Sequence, residues 1–365
     1  MLDNGKISWK QITLLIVLAR FILTLSFLPF FSAPPKNQDL WISTILSFPL
    51  QLMVALPIFI IAKRFPNMSL IHVLKSYLGK FGSFIGFLYA WFFLHSSALT
   101  LREFGEFLTT SPYPETPIIV FMSISILFAI PTVRYGIEVI GRIAEIIFPI
   151  IMFSVFLVVV LLAKDMDFKQ VFPICEDGIL PIVSGAFILA SRTKEFLFIG
   201  FLMPFIKNSK NIKKSIIYAS MILSLSSAII SLIVLTTFGI EQAKNRTFAF
   251  YSAVRLICVG NFFERIDAIY IGIWVLGIFV RVAIYYYLTV IVTAWILDLK
   301  DYQPLVLPIG AIIVSLSILM ADSIVELEKF LSYKIYTWYQ LLFSVAIPVL
   351  FLLFMAIKKK EPKKT

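Results

Sequence analysis

Along the chain, apolar residues run for about 20 positions at a time, and charged residues gather in the short intervals between these runs. A helix needs about 20 mostly apolar residues to cross about 30 Å of hydrocarbon. Ten stretches meet that description, at 11–33, 41–62, 83–107, 117–133, 143–163, 180–206, 214–238, 266–298, 303–321 and 336–357. None alternates as a transmembrane strand must, and residues 146–163 are apolar on every face. The pattern predicts an all-α integral membrane protein with ten transmembrane helices, forming one membrane domain over 1–365. The first stretch is too long for a signal-peptide core, and no small-residue cleavage site precedes Trp41, so it is expected to stay as a span.

Composition agrees with the pattern. Hydrophobic residues fill 60% of the 365 positions and charged residues 15%, against about 45–50% and about 25% in soluble domains. At a mean hydropathy of +0.94, neither a soluble domain nor a disordered chain fits. Two cysteines allow at most one bridge, which excludes a disulfide-stapled scaffold. The net charge of +11 is read first as topology, because cytoplasmic loops retain Lys and Arg. Loops assigned to one side carry eighteen basic residues, among them Lys63, Arg64, Lys207, Lys210, Lys213 and Lys214; the other side carries ten, with Arg102 counted there. Both termini are therefore expected in the cytoplasm, which an even number of spans allows. The lysines of the 358–365 tail read as a topogenic anchor at the headgroups of the lipid bilayer, and no nucleic-acid partner is expected.

Four basic residues, Arg20, Arg192, Lys194 and Arg281, fall inside spans together with one acid, Glu195. Each costs about 2.5–3.5 kcal/mol at the bilayer centre, so each marks either a buried structural pair, a snorkelling side chain or a site. In span six, Ser191, Arg192, Thr193, Lys194 and Glu195 interrupt an apolar helix that Leu197 restores, the pattern of a discontinuous helix. Span one is its counterpart if the chain is two halves of five spans, about 9–163 and 177–357. Its Thr24 and Ser26, followed by Pro29, mark a second expected break. Spans one and six run in opposite directions, as an inverted repeat requires, and transporter sites lie at the midplane between such helices. The expected ligand site takes in Ile22, Thr24 and Leu25 of span one, residues 191–195 of span six, and Phe92 and Ser96 of span three. Arg281, Tyr285 and Thr289 join them from one face of span eight.

Enzymatic chemistry lacks a constellation. Cys175 and Cys258 are isolated, and neither a glycine-rich phosphate loop nor a His-x-x-Glu-His motif occurs. His95, near the middle of span three, has no acid at helical spacing, so no metal and no cofactor is expected there. Asp165, Asp167, Glu176 and Asp177 solvate an outer loop, and the glycosylation triplets at Asn67 and Asn245 are weak matches.

Short motifs follow one another in a definite order. Gln38-Asp39-Leu40-Trp41-Ile42-Ser43 opens span two and Lys63-Arg64-Phe65-Pro66-Asn67 closes it. Leu101-Arg102-Glu103-Phe104 ends span three, and Thr116-Pro117-Ile118 and Tyr135-Gly136-Ile137-Glu138-Val139-Ile140-Gly141-Arg142 come next. Phe262-Phe263-Glu264-Arg265-Ile266-Asp267-Ala268 with Trp274 completes the set. In this order the chain resembles, over nearly its whole length, the endospore germination permeases, the integral-membrane B subunits of nutrient germinant receptors.

The resemblance implies a LeuT-like five-plus-five inverted repeat with broken helices 1 and 6, as in the amino acid, polyamine and organocation transporters. It implies a place in the inner membrane of a dormant bacterial spore. The implied partners are a small-molecule nutrient germinant, a cytoplasmic-domain A subunit and a lipoprotein C subunit. Arg192, Arg281 and Tyr285 fall where family members line the ligand pocket. Two departures stand out: Phe21-Ile22-Leu23-Thr24 replaces glycines in span one, and Lys194-Glu195 replaces a Gly-Glu pair in span six. The alternative function is a proton- or cation-coupled amino-acid transporter. With four cations against one acid, the ligand is expected to carry at least one carboxylate, as an amino acid does, clamped by Arg192 and Arg281 with Tyr285 and Ser96 nearby. Glu195 is expected to hold Lys194, Arg192 or freed backbone N–H groups.

Overall fold

The computed structural model describes residues 2–27, 37–110, 112–257 and 266–358. Pro29, Cys258, the 262–265 motif and the tail beyond Lys358 lie outside them. Among the described residues the regular structure is helical, apart from a single parallel bridge between Ile7 and Ile206. The long helices are α1 Trp9–Phe27, α2 Leu40–Arg64, a short α3 Leu70–Leu78, α4 Lys80–Thr110, α5 Ile118–Arg134 and α6 Ile137–Leu162. There follow α7 Ile179–Ser191, α8 Leu197–Leu202, α9 Ile212–Ala243, α10 Ala249–Val254, α11 Ile266–Ile296, α12 Gln303–Leu319 and α13 Ile324–Leu331. The chain closes with α14 Tyr336–Leu341, one wide turn at Leu342–Ala346, and α15 Ile347–Lys358.

Among the described residues, six helices are long and apolar enough to cross a membrane: Leu40–Arg64, Lys80–Thr110, Ile137–Asp165, Ser209–Ala243, Asp267–Ile296 and Tyr336–Lys358. The pair α12 and α13, bent by 100°, makes a seventh if it counts as one span, and α5 is a shorter apolar helix. Their surfaces carry Met53, Phe84, Phe87, Leu127, Phe128, Phe153 and Phe156 exposed, far more apolar area than a water-soluble surface tolerates. α11 is the central element. Of its most apolar stretch 83% is buried, against 28% for α6, which faces outward. α4 and α1 flank α11, while α2 packs on α7 and α9. The approach of α1 to α11 depends on Gly277, where an added Cβ would lie 2.1 Å from the Ile22 Cδ1.

Local sequence sets the ends. Ser69 caps α3 by accepting from the His72 N–H, and Ser323 caps α13 by accepting from Glu326 N–H while Glu326 accepts from the Asp322 N–H. Lys75 donates to the last carbonyls of α11, Trp295 O at 3.1 Å and Ile296 O at 3.5 Å, and pairs with Asp298 at 2.7 Å, a cation where the helix dipole is negative. The N-terminal segment joins the 205–207 backbone through Ile7, and Asp3 accepts from the Ile137 N–H and the Tyr287 hydroxyl. Tyr77 of α3 meets Phe351 of α15. The basic loops at 63–80, 134–142, 207–214 and 300 thus share one end of the bundle with the N-terminus and the end of α15. At the other end Asp39 accepts from the Cys175 N–H, and Thr247 donates to Glu328.

One expectation changes and another falls partly outside the described residues. α1 is helical through Thr24 to Phe27, and Pro29, where the expected break of span one would follow, lies outside the described residues. Arg102 does not lie in an outer loop: α4 runs on to Thr110, and Arg102, Glu103 and Glu106 are buried inside the packed bundle. Arg102 Nε donates to Glu106 Oε1 at 2.9 Å one turn away, and Nη1 donates to the Ile318 carbonyl at 3.3 Å. That pairing lets α4 carry three charges without ending.

Candidate functional site

The site forms where α7 stops. Arg192 (φ −89°, ψ 12°) and Thr193 (φ −93°, ψ 50°) leave the helical path, Lys194–Phe196 form a tight turn, and α8 resumes at Leu197. Two hydroxyls compensate for the lost helical bonds, Ser191 donating to Ile188 O at 2.8 Å and Thr193 to Ala190 O at 2.6 Å. Every residue from Ser191 to Glu195 is at most 1% exposed. Irregular backbone in such a bundle persists only when protein surrounds it, as here.

Glu195 reaches across to α11. Its Oε1 accepts from Arg281 Nη1 at 3.2 Å and from the Tyr285 hydroxyl at 2.9 Å, residues one helical turn apart. Arg281 Nε donates to Thr100 Oγ1 of α4 at 2.9 Å, and Thr100 donates to the Ser96 carbonyl at 2.9 Å. The expectation that Glu195 holds its neighbours in the break is corrected: its partners are on a different helix, because the turn at 194–196 sends the two side chains to different neighbours. Glu195 Oε2 is buried with no hydrogen-bond partner.

Lys194 turns toward α4 and α14. Its Nζ donates to Ser96 Oγ at 2.9 Å and to the Tyr336 hydroxyl oxygen at 3.1 Å. The same ammonium lies 5.0 Å from the Tyr285 ring centroid, 5.5 Å from Phe92 and 5.6 Å from Tyr336. Arg192 points elsewhere, donating from Nη2 to the Leu331 carbonyl at 2.7 Å with its guanidinium 5.3 Å from the Tyr336 centroid. Arg192 thus reaches the end of α13 while Arg281 reaches Glu195 and Thr100. Arg20 of α1 lines a polar cleft of about 10 Å³ with Thr44, Ser47, Gln51, Thr193 and Ser227, room for one water.

Of the other expected residues, Phe92 stacks on Phe343 with centroids 4.3 Å apart, and Thr289 bonds back to the Tyr285 carbonyl at 2.8 Å. Ile22 packs toward Gly277 and Ile151, and Thr24 and Leu25 are buried on α1. His95 meets Tyr339, its Nδ1 3.2 Å from the hydroxyl. Sequence reading missed Thr100, Tyr336 and, above all, Glu103. This carboxylate is 0% exposed, shares the α4 face of Phe92, Ser96 and Thr100, and neither oxygen has a hydrogen-bond partner. The usable signal was spacing, since Ser96, Thr100 and Glu103 fall at helical intervals. The buried set is thus four cations against two carboxylates, not one.

Guanidinium donors and hydroxyls held within a low-dielectric wall are groups that recognise an anion. Two larger cavities lie away from this site. One of about 840 Å³ sits between α4, α5 and α11, lined by Phe104, Leu108, Phe121, Ile124 and Phe128. The other, of about 650 Å³, lies between α7 and the start of α14 and includes Asp177, Phe187, Lys334 and Trp338.

Residues 6–325 match the sequence family described as Spore germination protein. The chain is 27% identical over 369 residues to spore germination protein KB of Bacillus subtilis (strain 168), covering 100% of this chain and 98% of that protein. It is 23% identical over 259 residues to spore germination protein XB of Bacillus anthracis, covering 69% and 71%. With spore germination protein GerQB of Bacillus cereus it shares 26% over 251 residues, 67% of each chain.

Proposed function

We propose that this chain, which belongs to the Spore germination protein family, is the membrane subunit of a nutrient germinant receptor and binds a small carboxylate-bearing nutrient at the α7–α8 break. The observation that carries this reading is the surplus of buried cations, Arg20, Arg192, Lys194 and Arg281 against Glu103 and Glu195. Guanidinium groups stay charged even when buried, so the deficit of anions favours an anionic ligand. An amino acid or another carboxylic acid supplies one. α1, α5 and the α7–α8 pair complete ten spans with the seven others, in a LeuT-like five-plus-five arrangement. The shared basic end of the bundle supports cytoplasmic termini, and the family supports the spore inner membrane as the location. Arg192, held to the outer connection at Leu331, and Lys194, held to α14, give ligand binding a path to elements that A and C subunits can read. Movement of the α7–α8 break is the signal.

A proton- or cation-coupled amino-acid transporter is the second reading, favoured by one observation: Glu103 is a fully buried carboxyl inside a span, and its oxygens accept no hydrogen bond. Deletion of the gene separates the two. Loss of nutrient-triggered germination with unchanged nutrient uptake in growing cells supports the receptor, and loss of uptake supports the transporter.

A further inference from the structure

The surroundings of Lys194 are those of a ligand site for an ammonium group. Three aromatic rings, Phe92, Tyr285 and Tyr336, face the nitrogen at 5.0–5.6 Å, and two hydroxyl oxygens, of Ser96 and Tyr336, accept two of its three N–H bonds. Among the described residues no carboxylate stands within ion-pairing distance of the nitrogen; Glu195, its neighbour in sequence, pairs with Arg281 instead. A lysine that served only to neutralise a buried acid would pair with one. This one is enclosed as a free amine would be, by rings contributed by three separate helices and hydroxyls at fixed positions.

We propose that Lys194 is the built-in occupant of an ammonium cage, so that the external ligand is a carboxylic acid without a cationic group of its own. The inference rests on the carboxylate reading above and narrows it. A zwitterion brings an ammonium into a region that already holds four cations and whose cage is filled, whereas a simple acid brings only the anion that the region lacks. Lys194 is then the specificity-determining residue, admitting acids and rejecting amines.

Beyond its Cβ the lysine side chain is a propylammonium group, so Lys194→Ala removes that fragment and leaves a space that n-propylammonium fits. The test uses full-length protein in detergent, with n-propylammonium as probe and n-propanol as its uncharged counterpart. In Lys194→Ala, n-propylammonium is expected to raise the thermal midpoint saturably by about 2 °C or more, while n-propanol does not. Wild type and Lys194→Met, whose cages stay filled, are expected not to respond. If Lys194→Ala is recovered only as aggregate, n-propylammonium present during solubilisation is expected to restore monodisperse protein. No rescue, an equal effect of n-propanol, or an equal shift in wild type overturns the cage. A separate arm tests the ligand class on spores: wild type is expected to respond to acids without an amine, and Lys194→Ala to gain response to the matching amino acids. Amine rescue without any response to acids keeps the cage and removes the carboxylate reading; response to acids without amine rescue does the reverse.

Discussion

Two buried charged regions lie within three turns of α4, and they are built differently. Arg102 and Glu106 satisfy each other within one helix, with the Ile318 carbonyl taking a third donor. At the α7–α8 break the charges come from several helices, cations outnumber acids, and acceptors at Glu103 and Glu195 go unmatched. Burial of charge is thus common to both regions and distinguishes neither. A self-contained pair is a structural element, whereas an unbalanced set assembled across helices is a candidate site.

The largest effect is expected at Glu195→Gln, which takes the charge from the Arg281 partner and leaves four cations facing Glu103 alone. Removing one member of a buried pair costs about 3–5 kcal/mol, and thermal unfolding of the solubilised protein reads it. Assembly with lost nutrient response supports its place in the site, and full activity removes it from the mechanism. Arg102→Met is expected to cost about 3 kcal/mol, because Glu106 is left buried and unpaired. Adding Glu106→Leu should return stability to within about 1 kcal/mol of wild type with nutrient response unchanged. A double variant that responds poorly to nutrient would erase the contrast between the regions. Glu103→Gln breaks no hydrogen bond, so its cost is expected below about 1.5 kcal/mol, well under that of Glu195→Gln. Lys75→Ala, at the far basic end, is expected to lose about 0.3–1 kcal/mol with no effect on response.

The chain made the break legible and left its wiring hidden. Five polar residues in an apolar run are costly enough in a membrane that Ser191 to Glu195 stand out without a structure. Arg281 and Tyr285 stood out likewise through their spacing. The partner of Glu195 did not, since which neighbour a side chain meets depends on how the 194–196 turn points it. Arg102 was misread as a loop residue, although an i, i+4 ion pair makes three charges within residues 102–106 compatible with continued burial. Tyr336 was invisible among the 14 tyrosines. The span count was also only partly legible: α5 and the broken α7–α8 are short, and length is what hydropathy measures best.

If the surplus of cations at the break selects a carboxylate, a panel of small carboxylic acids with their uncharged carboxamides will show it. The panel is applied to spores carrying wild type, Arg281→Gln or Arg192→Gln protein that reaches the membrane. Acids are expected to trigger germination and the matching amides are not, and Arg281→Gln is expected to weaken the acid response about tenfold or more. A neutral compound as sole effector, with equal potency in wild type and both variants, would contradict that selection.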